Sequence, residues 1–438
     1  MENKKEKEKI IQINPNIFVF SLSIIILIYF FYGFFTNENA AGAGGYNGDF
    51  KLIWQNLTLF KEGIIVNLNN YNYNDSRPPL SYILHILLNP FTYNIEVFRL
   101  SNFLISFLIP FLLYFSIKEK YSYLDKSLIL LLSLTVTLSP YFRTTSFWAL
   151  GENYGLIFLL LSYLTYTNLK KNLINYTLSK KLLIIFFLCL FSSAIVYFDQ
   201  KLVFIPFLVL VLILNLKIKV NLKIYSIFLF FIFSSPYLYL IYLWGSLIPT
   251  AAYEARGVGS SINLFHPGYC LTILIVAIFP FFFISNLNLK IIKNKIFNRN
   301  IIYIFIVFLI YSLLINFVGD FENLRIEGKG AFYKLSIILL ENQNMRLIFT
   351  LISFFLSLIF IYFTFEDKID LLIISYFTFL SLFTFPFYQE YLDPLFYILI
   401  FSFFKTRFEF ENKKGTYLIV LYFFIFSLSS KYYYQITI

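Results

Sequence analysis

The chain has 438 residues, of which 59% are hydrophobic and 22% aromatic while only 13% are charged, a balance that would leave far too much apolar surface in water for a soluble fold. The formal charge of +11 falls in short Lys and Arg clusters between apolar runs, which is the pattern of membrane-protein loops and not of a nucleic-acid face. Only two cysteines are present, Cys189 and Cys270, so a disulfide framework and a Cys-based metal site are both excluded.

The first apolar run follows Lys4, Lys5, Lys7 and Lys9 and has no small-residue cleavage site, so it reads as a retained span. A bilayer core of roughly 30 Å needs about 20 apolar residues per helix, fewer where neighbours shelter it. On that rule spans run near Ile17 to Phe35, Val97 to Ile117, Ser127 to Tyr141, Gly151 to Thr167, Leu182 to Phe198, Leu202 to Leu216 and Ile224 to Trp244. Others follow near Tyr269 to Ile284, Ile301 to Val318, Leu347 to Phe365, Leu371 to Phe385, Leu395 to Phe404 and Tyr417 to Leu428. The expected fold is therefore an all-α, polytopic membrane protein of about thirteen transmembrane helices. It divides into a module at 1–245, with its first outer loop at 36–96, and a C-terminal module at 246–438.

Simple alternation of these spans puts the basic clusters on one side, among them Lys118 with Lys120, Lys170 with Lys171, Lys217 with Lys219, and Lys290 to Arg299. The N-terminus is then cytoplasmic. The outer side receives the loop Glu38 to Pro79, the segment Arg143 to Glu152, the hairpin Asp199 to Lys201, the loop Gly245 to His266 and the turn Tyr388 to Pro394. The first outer loop is expected to be structured. Phe50, Ile53, Trp54, Leu57 and Phe60 have helical spacing with one greasy face, which predicts a helix in the interface plane with Trp54 at headgroup level. A second short helix is predicted between Pro79 and the Asn89-Pro90 pair. The segment after Val318 has no clear topology, and Ser336 to Leu340 is a candidate re-entrant piece.

Chemistry is expected where ionisable groups meet the membrane boundary, since such groups are costly there and are kept for function or mutual pairing. Asp49 stands at the amino end of the first loop helix, where the helix dipole favours its ionised form and it can accept a proton from a hydroxyl. It can equally serve as that helix's cap. Asp75 lies two residues before Arg77, which Pro78 and Pro79 hold rigid; the pair is either an oriented guanidinium for a phosphate or a plain local turn. Arg143, Lys201 and Arg256 complete a possible outer basic cluster, with Glu152, Asp199 and Glu254 beside them. Each basic group alone is also an ordinary snorkelling residue. His85 and His266 lack any ligand spacing, and no phosphate loop or nucleophile elbow is present.

Taken in order, these features resemble the large membrane glycosyltransferases of the GT-C fold. The residues that carry the likeness are an acidic residue in the first outer loop, Arg77-Pro78-Pro79-Leu80-Ser81-Tyr82, Phe98-Arg99-Leu100, and Leu138-Ser139-Pro140 with Arg143 and Glu152. Tyr388-Gln389-Glu390-Tyr391-Leu392-Asp393-Pro394-Leu395 follows late in the chain. The resemblance implies transfer of a hexosyl or pentosyl group from a polyprenyl-phosphate donor to a lipid- or glycan-linked acceptor. The active site would be periplasmic, in a bacterial inner membrane. By the same resemblance Asp49 is the general base with Asp75 as second choice, and Arg77, Arg143, Lys201 and Arg256 hold the donor phosphate. Glu152, Asp199, Glu254, Gln389 and Tyr391 line the substrate cavity. No metal or other cofactor is expected, because the carboxylates do not form a close cluster in the sequence. Two other readings stay open: a lipid or oligosaccharide transporter, and a surface-polysaccharide ligase or polymerase. A transporter would place ionisable groups near the midplane with inverted repeats. Here they gather at one face.

Overall fold

A computed structural model of the chain describes residues 15–41, 45–256, 262–284, 299–318, 330–365, 367–384, 388–406, 408, 410 and 413–437. Among the described residues every regular element is helical. Six helices are long and apolar enough to cross a bilayer: Ile17–Phe35, Ile95–Lys120, Leu178–Phe198, Val220–Trp244, Gln343–Thr364 and Lys413–Tyr434. A bent pair, Lys126–Leu138 with Pro140–Phe147, makes a seventh if taken as one span. Shorter apolar helices cover Gln200–Leu214, His266–Phe282, Asn300–Ile315 and Gly330–Leu339. The chain is an integral membrane protein. The stretch considered as a re-entrant piece belongs to the last of these short helices.

Helix α1, Pro15–Phe35, shows how the bundle is built. Val19, Ile26, Phe30 and Phe34 share one face and are buried, while Ile17, Ile24, Ile25 and Ile28 remain exposed to the surrounding apolar phase. Helices α5, Ile95–Ser106, and α6, Leu108–Lys120, run on with only Phe107 between them. Leu100, Leu104, Leu108, Phe111 and Phe115 recur at intervals of three and four and make one exposed apolar stripe along the pair.

Helix α7, Lys126–Thr135, passes through a tight turn at Val136–Leu138 and then bends by 73° into α8, Pro140–Phe147. The cause is local. Pro140 has no N–H to give the preceding turn, and Ser139 Oγ accepts from Phe142 N at 3.0 Å, capping a new helix. All of α8 is buried, so the bend turns a helix into the protein instead of out of it. Helix α9, Glu152–Lys171, α10, Leu178–Phe198, α11, Phe204–Leu214, and α12, Val220–Trp244, follow as an antiparallel group. Gly245, at a φ of 67°, closes α12 in the left-handed conformation that suits glycine.

One large apolar core runs from α1 through the helices Leu395–Ile400 and Lys413–Thr437, so both ends of the chain share it. A smaller cluster gathers Phe265, Tyr269, Phe308, Ile315, Tyr333 and Phe354.

The first outer loop holds α2, Asp49–Glu62, and α4, Leu80–Leu88, close to the predicted boundaries, and between them a short α3, Ile64–Asn67, that was not anticipated. The orientation of α2 differs from the expectation. Its greasy face, Phe50, Ile53, Leu57 and Phe60, is covered by protein and not by lipid. Phe50 lies against Phe98 and Trp148, Trp54 against Phe98 at 5.7 Å, and Phe60 against Tyr73 and Tyr82. Helical spacing identifies a greasy face but not what covers it.

A buried ionic lock fixes the root of this loop. Arg143, on α8, donates from Nε to Glu38 Oε1 at 2.6 Å and from Nη2 to Glu38 Oε2 at 3.0 Å, and both side chains are at most 1% exposed. Lys431, on the last helix, reaches the same carboxylate at 3.1 Å. Trp148 Nε1 donates to the Glu38 carbonyl at 3.0 Å, and Ser430 Oγ donates to the Ala40 carbonyl at 2.6 Å. A Cβ at Gly33 would collide with Arg143 Nη2, so glycine there lets the guanidinium lie against α1. Farther out, Trp244 Nε1 donates to the Leu68 carbonyl at 2.7 Å and Tyr71 Oη to Glu254 Oε2 at 2.9 Å, tying the loop to the end of α12 and to α13, Thr250–Arg256.

Candidate functional site

At the loop end of the bundle, Asp75, Arg77, Glu152, Asp199 and Lys201 come together from three separate parts of the chain. The rigid Pro78-Pro79 pair starts α4 and leaves Arg77 directed at the head of α9. There its Nη2 donates to Glu152 Oε1, while Nη1 donates to Asp75 Oδ1 at 3.3 Å. Asp75 Oδ1 also accepts from Arg77 N at 3.1 Å, and Asp75 Oδ2 accepts from Tyr82 Oη at 2.6 Å. Tyr141 Oη donates to Glu152 Oε1 at 2.6 Å. Glu152 is only 4% exposed, and its second oxygen, Oε2, is buried with no hydrogen-bond partner. A buried carboxylate oxygen without a donor is expensive, and such sites usually take a ligand group or water.

Lys201 sits in the turn after α10. Its Nζ is 3.4 Å from Asp199 Oδ2 and 4.1 Å from the centre of the Tyr391 ring, and Asp199 Oδ1 accepts from Lys201 N at 3.2 Å. The turn Gln389–Tyr391 brings Glu390 into the same field. Enclosure pushes the Glu390 carboxyl up to about 7; Lys201 and Arg77 pull the other way, and Glu152 and Asp49 add to the rise. Burial likewise raises Asp199, against the pull of Lys201. Burial works against the Arg77 charge, but Glu152 and Asp75 outweigh it and lift the guanidinium above its ordinary value. Both cations, Arg77 and Lys201, thus already face carboxylates, and Asp75, Glu152, Asp199 and Glu390 outnumber them. An incoming anion has to compete for Arg77.

Beside this cluster a small recess is lined by Asp75, Arg77, Ser81, Tyr82, His85 and Tyr154, among others. Two of these, His85 and Tyr154, belong to a polar chain. Asn89 Nδ2 lies 3.1 Å from His85 Nδ1, His85 Nε2 lies 3.0 Å from Tyr154 Oη, and Tyr154 Oη donates to Asn102 Oδ1 at 2.8 Å. That order assigns the ring proton to Nε2. Burial lowers the His85 ring to about 4, so the neutral form prevails. Gly151 faces Ser81, where a Cβ would lie 3.5 Å from its Oγ.

The remaining predicted site residues are placed elsewhere. Asp49 is the first residue of α2, with Gly48 at the cap position, and is exposed near the field of Glu390. Arg143 is not in the basic cluster: it is sealed in the lock with Glu38 and Lys431, its side chain 0% exposed. Glu254 is exposed and bonded to Tyr71, apart from the cavity. The side chain of Arg256 lies outside the described residues. Gln389 and Tyr391 occupy the turn that carries Glu390, Tyr391 with Lys201 over its ring. Glu390, Tyr141, Tyr82 and His85 are not among the site residues expected from the sequence, although Tyr82 and Glu390 stand in the segments that carry the likeness and His85 is set aside there as a metal ligand. The available signal was a carboxylate flanked by Gln389 and Tyr391 in a chain with only 13% charged residues. Among the described residues no three His, Cys, Asp or Glu side chains converge as ligands for a metal ion.

Compared with known proteins, the chain matches no family model, no curated protein and no solved structure.

Proposed function

We propose that the chain is an integral-membrane glycosyltransferase of GT-C-like architecture, with about thirteen spans in the sense of the length rule. It would move a hexosyl or pentosyl group from a polyprenyl-phosphate donor to a lipid- or glycan-linked acceptor. The N-terminus lies in the cytoplasm of a bacterial cell and the site faces the periplasm. The observation that carries this reading is Arg77, 25% exposed, held between Asp75 and Glu152 at the loop end of an oily bundle. A lipid-phosphate leaving group needs an oriented guanidinium and no nucleotide site.

The contacts support the following roles. Asp75 has both oxygens engaged, so it orients Arg77, and Asp49 keeps the part of general base. Glu152, with one oxygen anchored and the other unengaged, accepts a hydroxyl of the bound sugar. Lys201 and Glu390 set the local charge.

The test is transfer of radiolabelled sugar from polyprenyl phosphate in proteoliposomes. Asp49→Asn is expected to lower turnover by roughly a hundredfold or more. Glu152→Gln is expected to raise KM more than it lowers kcat. Wild-type turnover in both variants rejects the assignment, and movement of the intact sugar-lipid across the bilayer without bond cleavage replaces it with transport.

A further inference from the structure

Two tips of the first outer loop expose apolar side chains although they lie outside every candidate span. On α3, Ile65 and Val66 are each 83% exposed. At and after the end of α4, Leu87, Leu88, Phe91 and Tyr93 are exposed, Leu88 to 74%. Lys61 joins the tips by donating from Nζ to the Thr92 carbonyl. We propose that these tips form a single wedge sunk into the outer leaflet, at the level where headgroups meet acyl chains.

Two observations select lipid as the occupant. The first is continuity. Tyr93 stands two residues before α5, whose Leu100 and Leu104 begin the exposed stripe that continues down α6, so the tip joins the lipid-facing span through one turn whose exposed Asn94 and Glu96 suit headgroup level. The second is the state of the backbone. A segment can enter an apolar phase only if its peptide groups are already paired. Asn67 Nδ2 donates to the Leu59 carbonyl at 2.8 Å and the Gly63 carbonyl at 2.9 Å. Asn89 Oδ1 accepts from Phe91 N at 3.0 Å, and Asn94 Oδ1 accepts from Glu96 N at 2.9 Å and Val97 N at 3.3 Å. Asparagine side chains therefore close the turns on both sides of the exposed apolar groups. Lys61 at the junction places a cation at headgroup level, beside anionic lipid.

The wedge is tested with single cysteines at Val66 and Leu88, carrying an environment-sensitive fluorophore, in proteoliposomes of phosphatidylethanolamine and phosphatidylglycerol. Cys189 and Cys270 are 0% and 2% exposed, so the label enters the introduced thiols. Lipid bearing a nitroxide high on its acyl chain is expected to quench both labels by roughly half, whereas aqueous iodide leaves them bright. A label at Thr58, on the outward polar face of α2, shows the reverse. Iodide quenching at 66 and 88 equal to that at 58 overturns the wedge. So does protection from both quenchers, which assigns the patch to a protein partner.

Discussion

Arg77 bonds two carboxylates at once, a geometry that depends on the flat fork of a guanidinium. Lysine at this position supplies the charge but cannot reach Asp75 and Glu152 together. Arg77→Lys is therefore expected to cost on the order of tenfold to a hundredfold in sugar transfer while leaving detergent melting temperature nearly unchanged. Glu390 gives the site a pH response. Its carboxyl, ordinarily near 4.5, is raised to about 7 in the folded chain, so the folded state holds that proton more tightly than the unfolded one. The resulting stability is complete below about 4.5 and is lost as the pH rises through about 7. Melting temperature should fall across that window, and Glu390→Gln should flatten the fall. The Asp75–Arg77 pairing was legible because two residues and a proline pair define it locally. The bond to Glu152 was not, since it joins positions 75 residues apart.

At the scale of the element, the bend between α7 and α8 decides what Arg143 does. Proline after serine marks the break in the sequence, and the break was read as the outer end of a span. The bend then carries α8 inward, where Arg143 meets Glu38 across 105 residues of chain. Nothing local encodes that meeting, and so Arg143 was expected among the phosphate ligands. Removing Arg143 strips Glu38 of its two guanidinium bonds but leaves Lys431 facing the same carboxylate, so the buried charge keeps one cation. Arg143→Met should destabilise by less than the roughly 3–5 kcal/mol of an orphaned buried charge, and Lys431→Met combined with it should bring the loss into that range, as read from unfolding in detergent. Helices α2 and α4 were legible almost to the residue, because Gly48, Pro79 and the Asn89-Pro90 pair punctuate them. The covering of α2's greasy face was not legible, because period alone does not distinguish lipid from protein.

Across the whole molecule, membrane residence was plain from composition. The count of spans was less so: among the described residues six helices reach crossing length and a bent pair makes a seventh, whereas four apolar helices of ten to seventeen residues fall short of it. Cysteine labelling from either side checks the orientation. Asn69, in the first loop, and Lys126, the first residue of α7, are exposed, and cysteines placed there should react from opposite faces of a sealed vesicle. Reaction of both from the same face would dismantle the topology. The core holds the two ends of the chain together, and Lys431 and Ser430 on the last helix close directly on Glu38 and Ala40. These contacts set an order for biogenesis. The loop that frames the site emerges from the ribosome early, but its anchor is translated 390 residues later, on the order of half a minute at ordinary elongation rates. Until then Arg143 and Trp148 hold the root of the loop without the last helix, and a chain arrested before Lys413 should be cleaved near Ala40 faster than the full chain.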